Sequence, residues 1–237
     1  RSTLFPYTTL FRSSIRSGNT AFLKSLYTDI VFRDVIVRSG ITAETALREM
    51  IYYLASNITH PFTYNSVAKN IGVKSMETVA NWISCLEQTY MVRCLNKYTP
   101  KVGVQIRSPK KLYFIDNALA GQVGFNLSKN QGLWLENAVA IELQRRGADF
   151  YYHSNGHECD FVLRSGNTVT QAIQVSAVMD QPDTRKRELD GITSAMDAYG
   201  LQLGTIVTLD RRETITDSQG RQVEIIPCWQ WILDERI

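Results

Sequence analysis

Three polar residues in the second half of the chain have oxygen-bearing side chains that could serve a metal-dependent hydrolysis: Glu136, Asp160 and Gln174. Glu136 lies in the stretch GLWLENAVAIELQRRG, and Asp160 in Glu158-Cys159-Asp160-Phe161. Carboxylates brought together from a helix and a strand offer the hard oxygen ligands that Mg²⁺ prefers. A metal held there generates and orients the hydroxide that attacks phosphorus. Glu136 and Asp160 are the candidate metal ligands, and Gln174 offers a neutral carbonyl oxygen. A lysine two residues after Gln174 would lie on the same face of the strand, because side chains alternate with period two, and would help orient the water and stabilise developing charge. Ser176 stands at that position and supplies neither charge nor a proton donor of matched pKa. The site is therefore expected to be vestigial or weak, unless Lys186, Arg185 or Arg187 reaches back from the next helix.

A second constellation is basic. Lys74, Thr78, Asn81 and Trp82 are candidate base-edge readers on a recognition helix. Lys97, Lys101, Arg107, Lys110 and Lys111 are candidate phosphate contacts. The alternative packs Trp82, Ile83 and Leu86 into a core and makes the module a protein-docking one. DNA and a protein are thus both candidate partners. Charge favours neither on the whole chain, which carries a formal +3 over 237 residues. The halves differ, however: residues 1–120 carry a net +8 and residues 121–237 a net −5. Such asymmetry suggests two domains with different partners, the basic one facing nucleic acid.

Helical spacing runs over 21–38, and Thr42 is a plausible N-cap for a helix over 43–57. A short segment at 64–71, the glycine Gly72 and a helix from Ser75 to about Tyr90 suggest a helix-turn-helix. Strand-like stretches at 91–98 and 111–115 flank a basic loop, 99–110, which completes a winged helix. After Asp116 the pattern becomes helix (130–147), three strands (150–153, 159–163, 169–175), helix (184–199) and strand (203–209), with another strand at 222–226. The expected class is α/β (α+β overall): a helical winged-helix domain over 43–120, then an α-β-β-β-α-β domain over 121–237.

Composition excludes several classes. With 44% hydrophobic and 21% charged residues, the chain is neither a disordered tail nor a fibrous repeat. No apolar run approaches the roughly 18 residues of a membrane span. Cys85, Cys94, Cys159 and Cys228 have no framework of short spacings and read as reduced thiols, which places the chain in the cytoplasm. His153, His157 and Cys159 lack the paired spacing of a zinc module and read as a strand edge.

The chain opens with Arg1, and residues 3–13, TLFPYTTLFRS, are the translation of a common sequencing adapter. Residues 1–13 are accordingly expected to be an artefact, with 14–42 a helical remnant leading from a missing upstream domain. The remainder resembles the C-terminal region of bacterial and archaeal AAA+-type P-loop ATPases that carry a domain of unknown function. The resemblance rests on LKSLYTDIVFRDVIVR, residues 62–86, RSPKKLYFIDNALA, GLWLENAVAIELQRRG, ECDFV and IQVS. It implies a winged helix followed by a PD-(D/E)XK restriction-endonuclease-like domain, attached to an upstream ATPase. The phosphate-loop pattern G-x-x-x-x-G-K-[ST] does not occur in this sequence. No ATP-binding residues are assigned, and ATP is expected only of the upstream domain. The implied function is the DNA- or partner-binding part of that ATPase, with a degenerate nuclease-like domain. The alternatives are a Mg²⁺-dependent nuclease and a winged-helix transcription regulator.

Overall fold

The computed structural model describes residues 20–125 and 130–234. The expected artefact at 1–13 lies outside the described residues, as do 14–19 of the expected remnant. The described residues form a mixed α/β protein with two sheets. Two compact units divide them. One holds the described parts of Arg1–Asn57, Tyr64–Arg93 and Phe114–Leu127; the other holds Ile58–Thr63, Cys94–Tyr113 and the described part of Ser128–Ile237.

The first unit is helical: α1 (Thr20–Asp29), a π-helical stretch (Ile30–Val37), α2 (Glu44–Ser56), α3 (Tyr64–Asn70), α4 (Met76–Gln88) and α6 (Asn117–Val123). The single helix expected over 21–38 changes its winding after Asp29, and Val31, Val35 and Ile36 are the buried residues of the π-helical part. Gly40, at φ +62°, ends it in the left-handed conformation that glycine adopts without penalty. The N-cap of α2 is Ala43 rather than Thr42 and makes no side-chain cap. Ser75 does cap α4, its hydroxyl accepting from the Glu77 amide at 3.1 Å. The buried face of α4 is Val79, Trp82, Ile83 and Leu86.

Strands β1 (Val92–Asn96) and β2 (Lys110–Phe114) form a two-stranded sheet. The connection expected to be an open loop contains a short helix, α5 (Val102–Arg107).

In the second unit the order is α7 (Gln131–Arg145), β3 (Asp149–Asn155), β4 (His157–Ser165), β5 (Thr168–Val175), α8 (Pro182–Tyr199), β6 (Leu203–Thr208), β7 (Glu213–Thr216), β8 (Gln222–Pro227) and α9 (Cys228–Leu233). The sheet order is β3-β4-β5-β6-β8-β7. β3, β4 and β5 pair antiparallel, β6 lies parallel to both β5 and β8, and β7 closes the edge antiparallel. One cluster packs Leu135, Val139 and Leu143 of α7 with Phe161, Ile173 and Trp231. A second packs Ile192, Ala195 and Met196 of α8 with Cys159, Val162 and Ile206. Helix α8 comes so close to β4 that a Cβ at Gly191 would sit 2.3 Å from the Glu158 carbonyl oxygen.

Candidate functional site

The candidate residues Glu136, Asp160 and Gln174 converge in a cleft of about 810 Å³ in the second unit. Its walls include Lys111, Glu136, Glu158, Asp160, Gln174 and Ser176. Period-two alternation explains how two strands load it. On β2, Lys111 and Tyr113 both reach Glu136; on β4, Glu158 and Asp160 both reach Lys111.

Lys111 is the centre of the arrangement. Its ammonium lies 3.1 Å from Glu136 Oε1, 2.8 Å from Glu158 Oε1 and 3.0 Å from Asp160 Oδ1. The ammonium donates hydrogen bonds to Glu136 and Asp160 and pairs electrostatically with Glu158. The residue is only 1% exposed. Burial would lower its pKa, but the surrounding carboxylates, Glu136 foremost, outweigh that and hold it well above the usual lysine value. The sequence placed Lys111 with Lys97, Lys101, Arg107 and Lys110 as a phosphate contact; unlike them it is buried against three acids at the cleft.

Glu136 Oε1 also accepts from the Tyr113 hydroxyl at 2.8 Å. Burial, reinforced by the Asp160 charge, pushes the Glu136 carboxyl up to about 7 against the pull of Lys111. Asp160 is strapped to the neighbouring strand, Oδ2 accepting from the Val175 amide at 3.0 Å. Gln174 is engaged at both ends: Oε1 accepts from the Asp160 amide at 3.1 Å, and Nε2 donates to Glu188 Oε2 at 2.6 Å. Ser176 donates its hydroxyl to the Val178 carbonyl oxygen at 3.1 Å.

Of the other basic candidates only Arg187 lines the cleft. Arg185 pairs with Glu213, and Arg187 with Glu188; Lys186 is exposed. Lys74 and Asn81 are exposed and Thr78 half-buried, all in the first unit, whereas Trp82 is buried. Lys97, Lys101, Arg107 and Lys110 belong to the second unit; Lys101 and Arg107 are exposed, and Lys97 and Lys110 half-buried. His153 faces Tyr199 and Ser194, and Cys159 is buried, its thiol pushed up by burial.

The donor chemistry suits Mg²⁺, which is usually held by one or two carboxylates together with waters and substrate phosphates. Glu136 and Asp160 are such a pair. No group of three or more His, Cys, Asp or Glu side chains placed to hold a metal occurs among the described residues. The carboxylates instead converge on the ammonium.

Sequence reasoning missed Lys111, Tyr113 and Glu158 as members of this cluster. Their signal was present as two alternating pairs, Lys-x-Tyr and Glu-x-Asp, on strand-like segments.

A family model described as "Domain of unknown function (DUF8612)" matches residues 5–131. That is more than half of the chain. The chain belongs to this family. The match begins within the stretch that reads as translated adapter. "Uncharacterized protein MJ1544" of Methanocaldococcus jannaschii is 28% identical over 227 residues, covering 89% of this chain and 49% of that protein. An "Uncharacterized protein" of Haemophilus influenzae is 22% identical over 216 residues, covering 89% of this chain and 52% of its own length. The chain thus spans about half the length of the curated relatives it matches. No solved structure matches it. Among the described residues, no helix is long and apolar enough to cross a membrane.

Proposed function

We propose that this chain is the nucleic-acid-directed part of a longer protein, and that its second unit carries a phosphodiester-cleaving site of the restriction-endonuclease kind. The observation that carries this reading is the meeting of Glu136, Asp160 and Lys111 in one polar cleft. Glu136 from α7 and Asp160 from β4 are the residues that would hold Mg²⁺. Bound there, the ion would supply a water of lowered pKa facing the phosphate. The chain's own contributions are positional and electrostatic. β5 fixes Asp160 through the Val175 amide, Tyr113 orients Glu136, and the buried ammonium offers positive charge where negative charge develops. The winged-helix reading of 43–120 and the upstream ATPase belong to the same proposal. The relatives' extra length leaves room for such a motor, whose ATP hydrolysis would be coupled to whatever this part grips.

Plasmid cleavage with Mg²⁺ or Mn²⁺, beside an Asp160→Ala control, tests the reading. Metal-dependent cutting that disappears in the control is expected. Absence of cutting in the intact protein returns the site to a vestigial one.

A second reading, a gripping module without catalysis, is favoured by Gln174. Its amide is tied between the Asp160 backbone and Glu188. On that reading the cleft is a structural lock, and gel-shift affinity for DNA falls steeply with salt while no strand is cut.

A further inference from the structure

The restriction-endonuclease reading leaves one chemical gap: the position two residues after Gln174 is Ser176, which has no positive charge. We infer that Lys111, carried into the cleft by β2, does the work that the motif lysine would do. This inference rests on the proposed phosphodiester chemistry of the same site.

Three observations single out Lys111. It lines the same cleft as Ser176. Its ammonium is within hydrogen-bond distance of both Glu136 and Asp160, the two acids expected to face the reacting phosphate. Of the cations that follow β5 in sequence, Arg185 is bound to Glu213 and Lys186 is in solvent. Arg187 lines the cleft but spends its ion pair on Glu188, whereas Lys111 reaches Glu136 and Asp160 directly. Position along the chain does not matter to an electrostatic role; what matters is where the ammonium sits.

Glu158 shows how a phosphate would reach it. Of the three acids on Lys111, Glu136 and Asp160 have side chains 12% and 8% exposed, whereas Glu158 is 41% exposed. Glu158 is the partner at the mouth, and an incoming phosphate oxygen takes its place on the ammonium. In the reaction a water oxygen bonds to phosphorus and one phosphorus–oxygen ester bond breaks. The proton lost by the water passes to a carboxylate of the site and then to solvent. The leaving oxygen takes a proton from solvent and departs as an alcohol. Lys111 is not consumed; it stabilises the charge that builds on the phosphoryl oxygens.

The test moves the charge back along the chain. Supercoiled plasmid is incubated with Mg²⁺ or Mn²⁺ and the full chain as wild type, Asp160→Ala, Lys111→Met, Lys111→Arg and the double variant Lys111→Met/Ser176→Lys. Circular dichroism melting checks folding and gel shift checks DNA binding. Loss of cutting by about 100-fold or more, the scale of a removed electrostatic or proton-transfer group, is expected in both single Lys111 variants, with a much smaller loss of gel-shift affinity. Arginine keeps the charge but replaces a compact point donor by a planar fork, so Lys111→Arg separates catalysis from charge balance. The double variant is expected to regain at least a tenth of wild-type cutting. A folded Lys111→Met or Lys111→Arg protein that cuts like the wild type, while Asp160→Ala is inactive, overturns the role of Lys111 and leaves the nuclease reading standing. No cutting by the wild type overturns both. Should the single variants not fold, a folded double variant that does not cut overturns the inference.

Discussion

Replacing Lys111 by Met tests whether the cluster is a closed electrostatic unit. The change keeps the side chain's bulk and removes a charge that is 1% exposed and shared among Glu136, Glu158 and Asp160 at 2.8–3.1 Å. Breaking a buried pair by deleting one partner costs about 3–5 kcal/mol, because the other charge is left desolvated. Here two well-buried carboxylates are left. Protonation relieves part of that cost. Burial and the Asp160 charge already hold the Glu136 carboxyl above the usual carboxylate range. Without Lys111 its carboxyl rises further. A carboxyl raised in the folded state stabilises fully below its unfolded pKa, and that contribution is lost as pH rises through the folded value. The penalty of Lys111→Met must therefore be larger at pH 8 than at pH 6. Urea unfolding of both proteins in chelator-containing buffer measures it. At pH 8 the variant's midpoint should fall by roughly 1–2 M, given typical denaturant slopes, and the gap should narrow at pH 6. A gap below about 1 kcal/mol at pH 8, or one that widens on acidification, would refute the enclosure of this ammonium by the carboxylates.

Other expectations follow from the same geometry. Gly191→Ala sets a methyl against the Glu158 carbonyl and should cost about 1–3 kcal/mol as overpacking; an unchanged thermal midpoint would show that α8 yields freely. His153, held low by burial and then by Lys97, accepts at Nδ1 from Tyr199 and donates from Nε2 to Ser194, whose own proton goes to the Asn155 carbonyl. Its depressed pKa means that stability is lost as pH falls below the unfolded value of about 6.5; equal acid sensitivity in wild type and His153→Gln would contradict this. Ser75→Ala removes the α4 cap and should cost about 1 kcal/mol in chemical unfolding. Glu158→Ala should strengthen inorganic phosphate binding in isothermal titration by freeing Lys111 towards the cleft, and weaker binding would argue against Glu158 as the displaceable partner.

Elements with strong local period were legible from residues alone. The α7 helix announces itself by Leu135, Val139 and Leu143, β5 by its alternating and then continuous apolar run, and α8 by a charged helix ending at Gly200, whose φ is +68°. The short elements α5, α6, β7 and α9 went unseen, since four to seven residues carry too little period to stand above the noise. The π-helical winding at Ile30–Val37 was equally hidden, because the apolar spacing there is also that of an ordinary helix.

The site divides in the same way. Residue type, element order and the resemblance to a restriction-endonuclease core marked Glu136, Asp160 and Gln174 and exposed the missing charge at Ser176. They could not say that Lys111 lies among them, because its partners Glu136 and Asp160 stand 25 and 49 residues along the chain. Local pattern records which face a side chain takes, and Lys111 on a basic loop-and-strand segment reads as one more surface cation. Only the packing of β2 beside α7 and β4 decided otherwise. There, three carboxylates offset the desolvation of one ammonium, turning a surface charge of the sequence into the buried centre of the cleft.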